Sequence, residues 1–286
     1  MPSLSPKINF LIDPQADIER FEFFLNDPKR LSKRVAILNF YPKLTEKLEN
    51  NTNQQIVVEE IVLDMYKRFG DQIKEIVKQA KDEFSKSDDI FTILAQRMNF
   101  PELSEQAYTA IPTFLPFSPF RNDTFYFSIA RYIAGKEFKQ REIVEIAVHE
   151  ISHFIFYRQL ELWEQNHSVN IDSKTIDYFK EALTASIMNT TELREYFGYS
   201  QYRGNPELHS ISISYDNKIY NIVDYFEALV DFSNYSSSLE KLLTLFSFES
   251  VQKAFAEKTK LWNEMAQKNQ DHKLLKEYKN PIVLNI

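Results

Sequence analysis

The 286-residue chain contains no cysteine, only four glycines and only five histidines. Without cysteine no disulfide framework can form, which suits a reducing compartment. Four glycines leave little material for a glycine-rich phosphate loop, none is visible, and a nucleotide-binding fold is disfavoured. No apolar run reaches the roughly 18 residues that a membrane-spanning helix needs. The opening Met-Pro-Ser-Leu-Ser-Pro-Lys-Ile-Asn-Phe has no charged segment leading into a long apolar stretch. A soluble, cytoplasmic chain without signal peptide or membrane association is expected. A basic surplus is missing too. The formal charge is −7, which argues against nucleic-acid binding as a main role, because phosphate contacts need a concentrated basic surface. The one basic cluster, Lys29-Arg30 and Lys33-Arg34, stands near Glu22 and Asp27 and reads as a solvated face rather than a binding patch. What remains, at 43% hydrophobic and 26% charged residues, is the composition of a globular enzyme.

Against that background one string stands out. Residues 147–156 read Ala-Val-His-Glu-Ile-Ser-His-Phe-Ile-Phe, a His-Glu-x-x-His motif in an apolar stretch with helical character. Four residues apart on a helix, His149 and His153 project from one face, one turn above the other, so both imidazoles can grip a single Zn²⁺. Glu150 sits about 100° round the helix. It cannot easily join the same coordination sphere, but it can reach water at the metal and take its proton. A chance match in a chain of this length is roughly a one per cent event, so the motif points to a site. The flanks agree: Ile146, Phe156 and Leu160 lie on the histidine face, and Val144, Ala147, Ile151, Phe154 and Ile155 lie opposite. A helix apolar nearly all round is a buried one, and burying three polar side chains without a metal would be costly.

A zinc hydrolase needs a third protein ligand. The metzincin extension asks for Gly and His where this chain has Phe156 and Gln159, which excludes that group. Thr175-Ile176-Asp177 is only a faint echo of an aspartate motif. The best candidate is Glu181, in a helix expected over about 172–189. There Ile176, Phe179, Leu183 and Ile187 form the apolar stripe, and Glu181 faces away from it among Tyr178, Ala185 and Met188. A lone carboxylate on a face of small and apolar residues suggests burial against another helix. Lys180 and Glu192 mark exposed positions nearby, and Asp177, Glu161, Glu164 and His167 stay open as substitutes for the third ligand.

With His149-Glu150-Ile151-Ser152-His153 followed by Glu181, the region of roughly 120–190 resembles the gluzincins, the zinc peptidases related to thermolysin. The resemblance implies a zinc-dependent peptidase acting on a peptide or protein substrate, with His149, His153 and Glu181 holding the metal and Glu150 as general base. Two departures are visible, the first in a spacing that is variable. The connection from His153 to Glu181 is longer than in thermolysin. Thermolysin-like enzymes also place an aspartate four residues after the ligand glutamate to orient a zinc histidine, and that position is Ala185 here. Orientation must come from elsewhere. Gluzincins usually supply the oxyanion donor as a Tyr or His beyond the third ligand. In this chain that means Tyr199, Tyr202 or His209, in a Gly- and Pro-bearing loop expected directly after the glutamate helix, with His209 preferred. The alternative function is a non-catalytic, zincin-like binding or regulatory module that keeps the metal.

Along the chain, a strand is expected over 8–13 and helices near 15–25, 28–49, 55–86 and 89–98. The aromatic, partly alternating stretch 124–132 reads as the strongest strand, and a substrate-binding edge strand is sought between about 108 and 133. A hairpin centred on Asp216-Asn217 follows over 210–220, then helices over 221–233, 237–246 and 249–267. The expected fold class is α+β and zincin-like. It has an N-terminal, mainly helical region over 1–105 and a catalytic region over 106–286, divided into sheet with active-site helix (106–168) and helical lobe (169–286). No linker is rich enough to separate the two regions as independent domains.

Overall fold

A computed structural model describes residues 4–50, 53–135, 140–205, 208, 211–215, 218–269 and 282–285. In chain order its elements are β1 (Lys7–Phe10), α1 (Pro14–Asn26), α2 (Leu31–Phe40), α3 (Pro42–Asn50), α4 (Gln54–Phe84), α5 (Asp88–Arg97), β2 (Ala107–Thr113), β3 (Phe120–Arg121), β4 (Thr124–Ser128) and α6 (Ala130–Ile133). They continue as α7 (Gln140–His167), α8 (Ser173–Met188), α9 (Thr191–Phe197), β5 (Ile211–Tyr215), β6 (Lys218–Asn221), α10 (Ile222–Leu229), α11 (Tyr235–Phe246), α12 (Glu249–Asn269) and β7 (Ile282–Asn285). The class is α+β, mostly helical with two small sheets. No helix among the described residues is long and apolar enough to cross a membrane.

Local chemistry explains most of the boundaries. Asp13 caps α1 by accepting from the Ala16 amide at 3.0 Å, and Pro14 fills the first helical position, where its missing N–H costs nothing. The helix expected over 28–49 is broken in two, with Tyr41 leaving helical conformation (φ −120°, ψ 76°) before Pro42. Proline lacks the amide a continuing helix needs and crowds the residue before it. The strand expected over 124–132 stops at Ser128. Ile129 donates its amide to Thr113 at 2.9 Å, the last bond across to β2, while its carbonyl accepts from Tyr132 and Ile133 and so starts α6.

The first sheet has the order β1-β2-β4-β3, with β1, β2 and β4 parallel and β3 antiparallel on the outer edge. β4 is buried through Phe125, Tyr126 and Phe127, as a strand covered on both faces must be. α7 covers one face, where Phe154 stacks on Tyr108 with ring centroids 5.1 Å apart. The second sheet has the order β6-β5-β7. Its β5–β6 pair is the expected hairpin, although Asp216 and Asn217 lie outside the described residues. β7, parallel to β5, is an addition from the chain's last residues.

One hydrophobic core runs from Ile18 to Phe255. At its centre Phe179 of α8 stacks on Phe156 of α7 at 5.1 Å and meets Phe226 and Phe246 edge-on at 4.9 and 5.1 Å. These rings press α8 against α7. A hydrogen bond of 2.6 Å between Ser152 Oγ and Thr184 Oγ1 sets their register beside the two histidines.

Candidate metal centre

Residues 150–156 of α7 are all buried, so the polar atoms of Glu150 and His153 have little access to bulk water to satisfy them. The rings of His149 and His153 lie one turn apart with centroids 4.5 Å from each other. Glu181 reaches both from α8: His149 Nε2 to Oε2 is 3.6 Å and His153 Nε2 to Oε1 is 3.8 Å. One ligand atom from each of the three residues falls within 4.8 Å of the others. A tetrahedral zinc with ordinary bond lengths spaces its ligand atoms about 3.4 Å apart, so these separations leave the gap such an ion would fill.

The donors themselves test the fit. Both ring nitrogens of His153 are buried without a hydrogen-bond partner, and so is Glu150 Oε2, which lies 3.4 Å from His153 Nδ1 without bonding to it. Each orphan of this kind costs about 1–3 kcal/mol. A His₂Glu set with an unpartnered imidazole could hold a divalent metal ion. Burial lowers the pKa of both histidines, keeping their lone pairs available, and His153 is held well below the usual range.

The two glutamates are driven apart by their surroundings. Burial, with the charge of Glu181 adding to it, raises Glu150 to about 8, although Lys180 and Lys33 oppose the shift. For Glu181 burial also acts upward, but the Lys180 ammonium and the two histidines outweigh it and hold the carboxyl well below its ordinary value. Lys180 Nζ donates to Glu181 Oε1 at 2.6 Å and sits 5.3 Å from the centre of the Phe120 ring. Lys180 is only 6% exposed, so the expectation of an exposed position there is overturned. Adjacent residues on a helix point about 100° apart. In α8 both directions open into the same cleft, beneath β3.

The place left by Ala185 is taken by a loop. Gly204, at φ +62° in the left-handed region, brings its backbone so close that a Cβ there would meet Ala185 Cβ at 3.4 Å and Leu208 Cδ1 at 3.3 Å. Asn189, which caps the end of α8, grips that loop from both directions. Its Nδ2 donates to the Tyr202 carbonyl at 2.9 Å and its Oδ1 accepts from the Tyr202 amide at 2.6 Å. The Tyr202 hydroxyl is thereby brought 3.0 Å from His149 Nδ1. With the ring proton on Nδ1 donated to the phenol oxygen, Nε2 turns a bare lone pair toward Glu181 and His153. Burial holds the phenol well above its usual pKa, so it stays neutral.

A cavity of about 440 Å³ opens on Glu150, His153 and Glu181. Its roof is β3, which is a sheet edge within the 108–133 range, and its far wall comes from α1 and α2. Arg30 and Lys33 line it, so this part of the basic cluster read as a solvated face instead belongs to the cleft. Arg20 joins them. No local pattern announces it, because the contact is made across the fold.

The remaining sequence candidates are scattered. Tyr202 does not line this cavity, and Tyr199 donates to the Met188 carbonyl at 3.2 Å. His209 lies outside the described residues. α9 stands between the glutamate helix and the loop that was expected to follow it directly. Among the substitutes for the third ligand, Asp177 lines the cavity near Lys174, Glu161 is exposed, and Glu164 accepts from the Ile171 amide at 2.9 Å. His167 stacks on Trp163 at 4.6 Å. Among the described residues, His149, His153 and Glu181 are the group brought together for a metal. No protein-family model, curated protein or solved structure matches this chain.

Proposed function

We propose that the protein is a zinc-dependent peptidase of gluzincin type. The observation that carries this reading is the convergence of His149, His153 and Glu181 ligand atoms within 4.8 Å, with Glu150 lining the same cavity as His153 and Glu181. A zinc held there supplies Lewis acidity, which acidifies water and polarises a carbonyl. Glu150 is placed to take a proton from the attacking water and return it to the leaving nitrogen. Its burial makes it a strong enough base for that exchange, while the positive charge of a bound cation acts against the upward shift and favours its ionised form. Lys180 holds the Glu181 carboxylate ionised, and Tyr202 sets the tautomer of His149. The edge position of β3 at the cavity offers main-chain groups to an extended peptide.

The test is metal content by mass spectrometry beside cleavage of a peptide library. Wild type is expected to hold one zinc per chain and to cleave. Glu150→Gln should keep the metal and lose about 10²- to 10⁴-fold in turnover, and Glu181→Ala should lose metal. Zinc without cleavage of any peptide would favour a non-catalytic binding or regulatory module. No zinc even after metal addition would remove the site.

A further inference from the structure

The chain as a whole is acidic, at −7, yet the cavity beside the candidate metal centre is walled with cations. Arg20, Arg30, Lys33 and Arg121 line it opposite Glu150 and Glu181, and the Glu181 carboxylate is already matched by Lys180. Asp177 is the other carboxylate in the lining, 3.9 Å from Lys174. Two of the wall's ion pairs are long: Arg121 stands 3.9 Å from Glu19 and Arg30 stands 3.5 Å from Asp27.

Arg20 is the distinctive member. It is 8% exposed, and its Nε is buried with no hydrogen-bond partner. Its guanidinium sits 5.1 Å from the centre of the Phe23 ring, itself 41% exposed at the cavity. Glu19 acts on this guanidinium only through its charge, and a cation largely removed from water with an open Nε donor can take up an anion. An acidic molecule that concentrates positive potential in one cleft draws anionic ligands to that cleft and repels them elsewhere.

We propose that this cavity selects a carboxylate-bearing peptide, with Arg20 as its anchor and the Phe23 and Phe117 rings packing the apolar part of the recognised residue. The assignment rests on the peptidase reading for its peptide ligand. The shared chemistry is a carboxylate, which can come from an Asp or Glu side chain or from the peptide's own C-terminus. Either forms a charge-assisted, two-pronged contact with a guanidinium.

The experiment reads binding rather than turnover. Full-length Glu150→Gln protein is equilibrated with a pooled octapeptide library, half as free acids and half as C-terminal amides, and the bound peptides are identified by mass spectrometry. The bound pool should be enriched about tenfold in Asp and Glu over Asn and Gln at one position, which identifies a side-chain carboxylate. Equal enrichment of free acids over amides identifies the terminal carboxylate, and either result upholds the proposal. Adding Arg20→Gln should abolish the enrichment. Adding Arg121→Gln, at a side chain 57% exposed where folding is not at stake, should reduce it severalfold. A bound pool without enrichment, or enrichment surviving both substitutions, overturns the proposal. Cleavage of neutral peptides by wild type together with no enrichment overturns the pocket alone, whereas acidic enrichment without cleavage overturns the peptidase reading alone.

Discussion

The Tyr202 phenol stands 3.0 Å from His149 Nδ1, and the small Ala185 side chain leaves room for its loop to approach. Tyr202→Phe keeps the ring and removes the hydroxyl hydrogen-bonded to His149 Nδ1. Zinc affinity should fall about 10- to 100-fold in a chelator-competition titration, with the far-UV spectrum unchanged. Wild-type affinity in that variant would leave His149 oriented by something else. At this scale the sequence was legible wherever spacing alone decides geometry: four residues separate two histidines on any helix, and the apolar stripe of α8 left Glu181 on the other face. It was illegible where a distant element decides. Lys180 and Lys33 have the local pattern of solvated residues, and only the packing of α1 and α2 against the cleft encloses them.

At the scale of the element, α8 carries Glu181, and its start depends on one cap. Asp172 Oδ1 accepts from the amides of Lys174 at 2.9 Å and Thr175 at 3.1 Å, and Thr175 Oγ1 donates to Oδ2 at 2.6 Å. Asp172→Ala should lower unfolding free energy by about 1 kcal/mol, read as a lower denaturant midpoint at constant slope. An unchanged midpoint would mean that core packing alone holds the helix. Helices with strong caps and stripes, such as α1, α4 and α8, could be read from the chain. Others could not, for identifiable reasons. Pro42 splits one expected helix into α2 and α3, the aromatic stretch after β4 turns helical as soon as its ladder partner ends, and α9 is a short helix whose one buried residue, Leu193, gives no periodic signal.

For the whole molecule, the buried carboxyl of Asp17 ties three elements together. It accepts from the Phe114 amide at 2.9 Å, from Tyr66 at 3.3 Å and from the Thr113 hydroxyl, joining α1 to the end of β2 and to α4. Burial raises its pKa from 3.8 to about 7, with the three donors opposing. Between those values the unfolded chain has released the proton while the folded protein keeps it. Stability is therefore highest below the unfolded value and falls as pH rises toward about 7, by at most about 1.4 kcal/mol per pH unit. Glu150, raised to about 8, acts in the same direction. The diagnostic is thus the difference between wild type and Asp17→Asn in unfolding free energy from pH 4.5 to 7.5, where the variant should show the flatter curve. Parallel curves would mean that Asp17 is ionised in the folded state.

The wall of the cleft and its floor come from separate stretches of the chain, α1 and α2 for one and α7 and α8 for the other. Inheritance can therefore act on them separately. Substitutions among residues 20–33 can redraw what the cleft admits while His149, His153 and Glu181 stay as they are, so the wall and the floor are free to vary independently.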